Sequence, residues 1–445
     1  MTTGMVATDA VVGELAAREE PDGAPRIATL DILRGIAILG ILFMNMPEMA
    51  GSIWAGWTDP RHYGWSPADQ WVWWLRELFA EGTARCLLEL LFGAGMVILT
   101  DRIATQAGEA AMIGRYAWRQ VVLFAFGLVH MFVLLWPGDI LHTYAVAALL
   151  GLFFRTRSPQ ALLALGLVMT VFDFAGGVAN YQAARQQQAV MASATMHRAA
   201  GQPLTSVERA GLVTERDRRA ELARRKARDE GRVALEDRMR SSGFTDWVRS
   251  AWSTGIVLLR DGELDSVWEA LSTMLIGAAL YRWGVLQGER SSRLYAALAV
   301  AGYGLGISLR VMNAAATLRF DGAPTMGWAT YEVGRLAVTM GHVGLVLLVL
   351  GTSLGQRLLR PFAAAGRTAL TLYVAQTLIC LWLLYPPFAL GLYGRQDWVA
   401  MMLTALAVDA VLLVAANIWV RHYRIAPVEW AWRSLVEGRR LRFRN

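Results

Sequence analysis

The sequence predicts an all-α fold, a polytopic membrane helix bundle of about ten transmembrane helices with a polar helical insert between helices five and six. Three observations lead there. Hydrophobic residues make up 55% of the 445 residues and the mean hydropathy is +0.35, more apolar than a water-soluble chain needs to be. Eighteen Trp residues suit rings anchored at the two membrane interfaces. About ten apolar stretches approach the length a helix needs to cross roughly 30 Å of hydrocarbon.

These stretches lie at 28–48, 83–101, 116–136, 139–155, 159–182, 264–286, 293–313, 331–353, 366–386 and 398–420. The first carries Asp31 and Arg34 in its opening turn and Asn45 near its end. Charges at the head of a span are costly unless they pair or face a polar cavity, and a spacing of three puts these two on one face, in reach of each other. The second holds Arg85 and Glu89, one turn apart. The third places His130 about six residues, roughly 9 Å, below the outer end marked by Trp136-Pro137. The fourth begins at Asp139, and His142 follows near the surface. Asp173, Glu269 and Asp409 fall inside the fifth, sixth and tenth, and Gly176-Gly177 could break the fifth. Gly302-x-Gly304-x-Gly306 in the seventh has no strand before it and reads as a small-residue helix contact, not a nucleotide loop. The eighth carries Arg335 and, two turns deeper, His342, and Arg367 opens the ninth.

The net charge of +7 comes almost wholly from arginine; Lys226 is the one lysine. The arginines sit mostly between spans, so positive-inside topology explains them better than nucleic acid does, and no nucleic-acid partner is expected. An inside N-terminus puts Arg102, Arg115, Arg155, Arg157, Arg290, Arg293, Arg357 and Arg360 on the cytoplasmic side, and the loop from Trp136 to Asp139 outside. The expected organisation is a disordered cytoplasmic lead (1–27), a first transmembrane half (28–182), an extracytoplasmic polar insert (183–263), a second half (264–420) and a basic cytoplasmic tail (421–445). The protein is therefore expected in the plasma (inner) membrane, multi-pass, with both termini cytoplasmic. In the insert, acids and bases alternate at helical spacing, as in a solvated helix laced with i,i+4 pairs. It reads as a linker, or as a helical hairpin that caps the outer face. Cys86 and Cys380 fall inside spans and suggest neither disulfide nor zinc, and no metal is expected.

Ionisable residues within spans are the best pointers to function. Acids, bases and two histidines in the outer halves of several helices would line an outward polar cavity if they converge. A histidine there can act as a general base. On the cytoplasmic side Arg34, Arg119 and Arg367 stand at the mouths of three helices, with Asp31 beside them, and could hold the phosphates of an anionic donor.

Four motifs carry a family resemblance. They are Leu30-Asp31-Ile-Leu-Arg34-Gly35 through Gly40 to Asn45; Leu91-Phe92-Gly93-Ala-Gly95; Gly127-Leu-Val-His130 through Trp136-Pro-Gly138-Asp139 to Tyr144; and Gly366-Arg367-Thr-Ala-Leu370-Thr371-Leu-Tyr373, closed by Pro427-Val-Glu429-Trp430-Ala-Trp432-Arg433. In order and spacing the chain resembles the YeiB-like family of bacterial multi-pass membrane proteins. That family is similar to transmembrane acyltransferases such as heparan-α-glucosaminide N-acetyltransferase. The resemblance implies transfer of an acyl group, acetyl foremost, from cytoplasmic acyl-CoA as co-substrate to an acceptor on the far side, such as a glycan or small metabolite. His130 matches the histidine that serves the chemistry in that wider group, with Asp139 as its partner; read from the residues alone, Asp139 or Glu89 would orient the ring. Two positions depart from the family pattern: Ala426 stands where Gly usually precedes Pro427, and Leu372 where Asn is frequent. The competing readings are a transporter or channel for an anionic solute, using the same charges, and a partner-binding protein acting through the insert. Membrane lipid surrounds the chain on any reading, and a homodimer is the default assembly.

Overall fold

The computed structural model describes residues 28–319 and 325–444; the expected disordered lead, 1–27, lies outside them. The described residues are helical, and their one β pairing is an isolated bridge between Tyr423 and Arg444. In chain order the helices are α1 (Ala28–Ala50), α2 (Ile53–Thr58), α3 (Pro67–Phe79), α4 (Thr83–Ala107), α5 (Glu109–Phe132), α6 (Leu141–Gly151), α7 (Pro159–Ala199) and α8 (Ser206–Ser242). There follow α9 (Phe244–Asp261), α10 (Glu263–Arg282), α11 (Ser292–Thr317), α12 (Gly327–Leu350), α13 (Ser353–Arg367), α14 (Ala369–Leu378), α15 (Trp398–His422) and α16 (Pro427–Glu437).

Local chemistry sets the starts. Ser66 and Asp69 form a capping box on α3, and Thr205 and Glu208 form one on α8. Ser158, Thr352 and Asp397 cap α7, α13 and α15 through their side chains. Pro427 opens α16, where its missing N–H costs nothing. Ala426 has φ −78° and ψ 160°, an extended conformation open to any residue, so the usual glycine is not needed there.

Among the described residues, six helices are long and apolar enough to cross a membrane: α1, the run Pro67–Ala107 joining α3 to α4, α7, α11, Ala329–Leu350 of α12, and α15. The pair Ser353–Arg367 and Ala369–Leu384, bent by 78°, makes a seventh if taken as one span. Length and composition alone thus pick out six or seven of the ten spans expected. Helix α6 is short, α5 carries Glu109, Arg115 and Arg119, and α10 carries Glu263, Asp265, Glu269 and Arg282. The physical reason is plain in α10, where every residue from Ala270 to Leu280 is buried. A helix surrounded by other helices needs no apolar face for lipid. Helices α7 and α15 do have one, with Leu165, Val168, Val171 and Phe172 exposed on the first and Leu403, Leu406, Val411 and Val414 on the second.

The bundle closes through near contacts of backbone. Between apolar helices in a bilayer the hydrophobic effect adds little, and small residues that let main chains approach are favoured. A Cβ on Gly366 would lie 1.8 Å from the Asp31 carbonyl oxygen, and one on Gly35 would lie 1.9 Å from that of Phe362. The first and fourth motifs are thus the two sides of one α1–α13 crossing. Gly176-Gly177 does not break the fifth span; α7 runs unbroken through it. A Cβ on Gly177 would meet the Ala329 Cα at 2.4 Å, so that glycine serves a crossing with α12.

The stretch 183–263 folds as the far half of α7, then α8 and α9. Gln187 donates to the Gly211 carbonyl at 2.7 Å and Ser193 to Glu208 at 2.5 Å, which zips α7 to α8. The end of α8 is fastened to the end of α1. Arg240 donates to the carbonyls of Glu48, Met49 and Gly51 at 3.0, 2.7 and 2.7 Å, and Ser52 donates to Glu236 at 2.6 Å. Next to this, His62 Nε2 lies 3.2 Å from Asp237, which also accepts from Tyr393 at 2.8 Å. The hydrogen bond to Asp237 raises the His62 pKa above its usual value. Burial alone would raise the Asp237 pKa, but the bonds from His62 and Tyr393 outweigh it and hold it below the ordinary carboxylate value.

Candidate functional site

Two cavities lie back to back. The larger, about 680 Å³, is walled by the end of α1, the start of α4, the loop before α6 and the α9–α10 junction. Asn45, Arg85, Glu89, Asp139, His142 and Glu263 stand on it, and Arg232 of α8 and Trp54 cover one side. The smaller, about 290 Å³, is walled by the opposite ends of α1 and α4, by α5, by the α13–α14 junction and by α16. Ile140 and Tyr144 line both cavities, so the partition is one layer of side chains. The Tyr144 hydroxyl donates to the Arg85 carbonyl at 3.1 Å, which holds the ring in place.

The smaller cavity gathers Asp31, Arg34, Arg119 and Arg367, the four residues expected at the cytoplasmic mouth. Asp31 and Arg34 pair at 3.0 Å, as their spacing predicts. Arg119 stacks over the Trp432 ring, 4.0 Å from its centroid. Glu429 reaches the first turn of α14, accepting from the Leu370 and Thr371 amides at 2.7 and 3.1 Å and from the Thr371 hydroxyl. Val428 N donates back to that hydroxyl at 3.0 Å. The two parts of the fourth motif therefore dock on each other and seat Arg367 at the cavity wall.

The histidines are arranged around one carboxylate. Asp139 Oδ1 lies 2.7 Å from His130 Nδ1, and Asp139 Oδ2 lies 2.9 Å from His142 Nδ1. Oδ2 also accepts from the Leu141 and His142 amides at 2.9 and 3.2 Å, so Asp139 caps α6. The loop can sit this close to α5 because residue 127 has no side chain; a Cβ there would be 2.4 Å from His142 N. The same loop holds Leu135 at φ +65°, a left-handed conformation that a branched apolar residue seldom adopts.

His130 is fully enclosed. Its Nε2 meets the Thr377 hydroxyl at 2.8 Å, and it lines neither cavity. Thr377 lies where α14 passes into a wider π-helical turn, Ile379–Leu384, a device that often marks a working site. His142 is the histidine on the wall of the larger cavity. It is buried, not superficial as the sequence suggested, and its Nε2 faces Glu263 Oε2 at 3.0 Å.

Glu89 does not orient a histidine. It is buried against Arg335 at 2.9 Å. Arg335 also meets Glu269 at 2.6 Å and Glu332 at 2.8 Å, and Arg85 meets Glu269 at 2.5 Å. Three acids and two arginines thus tie α4, α10 and α12 together behind the cavity. The remaining polar residues of the spans lie elsewhere. His342 bonds to Tyr303 at 2.7 Å and to the Phe79 carbonyl at 2.9 Å, Asp409 accepts from Gln376 at 3.0 Å, and Asp173 on α7 accepts a bond from Trp268 of α10. Among the described residues, no group of three or more His, Cys, Asp and Glu side chains could hold a metal ion. Glu263 and Thr377 were not singled out in the sequence. One is an ordinary acid at a helix start and the other a hydroxyl in an apolar run, and neither carries a local signal.

A family model described as a protein of unknown function (DUF418) matches residues 280–439. The uncharacterized protein YeiB of Escherichia coli (strain K12) is 29% identical over 421 residues, covering 92% of this chain and 96% of that protein. The uncharacterized protein YxaH of Bacillus subtilis (strain 168) is 28% identical over 428 residues, covering 92% and 94%. No solved structure matches the chain.

Proposed function

Because the chain belongs to the YeiB-like DUF418 family, whose description names no activity, we propose from its two cavities that it is an integral membrane acyltransferase. It moves an acyl group, acetyl in the simplest case, from acyl-CoA in the smaller cavity to an acceptor hydroxyl or amine, such as that of a glycan, in the larger one. The observation that carries this reading is the shared wall. An arginine-bearing cavity and a cavity bearing a carboxylate-held histidine are separated only by Ile140 and Tyr144.

Glu263 swings away with the proton it shares with His142 Nε2, the acceptor hydroxyl takes its place, and that hydroxyl gives its own proton to the freed nitrogen. The freed oxygen attacks the thioester carbonyl carbon, the carbon–sulfur bond breaks, and the thiolate leaves on the arginine side, where water protonates it. Asp139 stabilises the imidazolium formed, and His142 then returns its proton to water in the larger cavity. His130 is a positioning residue: it fixes Asp139 from behind and is itself fixed by Thr377.

In the membrane we place all ten apolar helices of the sequence, with α6 and α10 spanning inside the bundle and α5 turning Val121 and Val129 outward. Both termini are then cytoplasmic in the inner membrane, and α8 and α9 cap the outer face. A second reading, a transporter for an anionic solute, is favoured by the 78° bend between α13 and α14, since transporters use broken helices at their sites. Binding of acetyl-CoA to the purified protein, followed by release of free thiol with an acceptor present, separates the two. The acyltransferase reading expects His142→Ala to keep binding and lose thiol release. Solute flux without thiol release would replace it by transport.

A further inference from the structure

We propose a second anion site, formed by the folded-back tail, that takes the nucleotide phosphates of the donor. The inference rests on the acyltransferase reading and extends it. After α16 the chain turns at Gly438, in the left-handed region at φ +64°, and runs back along the helix. Trp430 Nε1 donates to the Leu441 carbonyl at 2.9 Å, Leu441 N donates to Ser434 Oγ at 3.3 Å, and the Tyr423–Arg444 bridge closes the end. This loop borders an open-sided cavity of about 370 Å³ walled by Arg424, Arg433, Arg439, Arg440, Arg442 and one acid, Glu437. Glu437 pairs with Arg439 at 2.9 Å, which leaves the cavity strongly cationic. Positive-inside bias accounts for the arginines, but not for a tail fastened into a cavity.

The link to the donor is Arg433, which lines both this cavity and the smaller of the two back-to-back cavities. At about 290 Å³ the smaller cavity sits at the lower end of small-molecule sites. It has room for a thioester and its pantetheine arm, but not for the nucleotide as well. The adjoining cavity supplies guanidinium forks, which suit phosphate better than any other side chain. Arg433 marks the passage between arm and nucleotide. Anionic lipid headgroups share this phosphate chemistry, and the test separates them from the nucleotide.

The experiment is calorimetric binding of CoA, 3′-dephospho-CoA and 4′-phosphopantetheine to the full chain in zwitterionic nanodiscs, for the wild type and for Arg440→Gln/Arg442→Gln. The expected result is tenfold or tighter binding of CoA over 4′-phosphopantetheine in the wild type, with that advantage lost in the double variant and 4′-phosphopantetheine binding unchanged. CoA affinity that ignores the tail substitutions but falls in Arg119→Gln overturns the tail site and leaves the donor reading standing. A CoA advantage abolished by adding anionic lipid while the variant is insensitive to that lipid makes the site a headgroup site and overturns the nucleotide assignment. No binding of any of the three ligands in a folded sample removes the donor reading itself.

Discussion

Asp139 holds His142 by two bonds at once: its Oδ2 lies 2.9 Å from the ring Nδ1 and accepts from the His142 backbone amide at 3.2 Å. Ring and main chain are thus fixed by one oxygen, which leaves Nε2 as the nitrogen aimed at the cavity side. Asp139→Asn keeps the shape but removes the charge that supports an imidazolium. The expected loss of acyl transfer is about 10²–10⁴-fold, the range for a general base deprived of its function, with acetyl-CoA affinity unchanged. Thiol release under saturating donor, against calorimetric binding, checks both halves.

Buried ion pairs fail badly when one partner is removed. Arg335 is 1% exposed and serves Glu89, Glu269 and Glu332. Arg335→Met strands Glu332 and leaves Glu89 and Glu269 to share Arg85 alone, at an expected cost of about 3–5 kcal/mol. Arg335→Met with Glu89→Leu is expected to recover part of that loss. Thermal inactivation midpoints in one detergent, for both variants and the wild type, test the order.

A glycine at a crossing and a glycine at a cavity wall should respond differently. Gly366→Ala drives a Cβ into the Asp31 carbonyl, where something must shift, and overpacking of this kind costs about 1–3 kcal/mol or more. A Cβ on Gly95 meets nothing within 4 Å and points into the smaller cavity. Gly95→Ala should therefore leave thermal stability near that of the wild type. The same two variants, compared by melting point, decide it.

The docking of α8 should depend on pH through His62 and Asp237. The folded pKa of His62 is raised, so its contribution is complete below about 6.5 and is lost as pH rises through the folded value. The folded pKa of Asp237 is lowered, so its contribution is present above the ordinary carboxylate value and is lost as pH falls through the folded one. The latch is firm in weak acid and loosens on the alkaline side. Hydrogen exchange around Asp237 should quicken between pH 6 and 9, and His62→Gln should flatten that change.

Much of this architecture is legible in the sequence because membrane helices announce themselves by length and composition. The Asp31–Arg34 pair and the three arginines at one cavity follow from helical spacing and from the ends at which they stand. The limits are equally physical. Helix α10 is wrapped by other helices, so its charged ends keep it out of a count by apolarity, and in the glycine pair that suggests a break Gly177 serves a crossing instead. Which carboxylate meets which histidine depends on how α4, α5 and α6 pack. Glu89 and Asp139 look equivalent in the chain, yet Arg335 claims the first and two histidines share the second.

The most direct measurement uses proteoliposomes that carry the arginine-lined face outward, with acetyl-CoA outside and a sugar acceptor trapped within. The two-cavity account predicts acetylated sugar inside, free CoA outside, and neither product with His142→Ala. Intact acetyl-CoA together with unmodified solute crossing the membrane would contradict it.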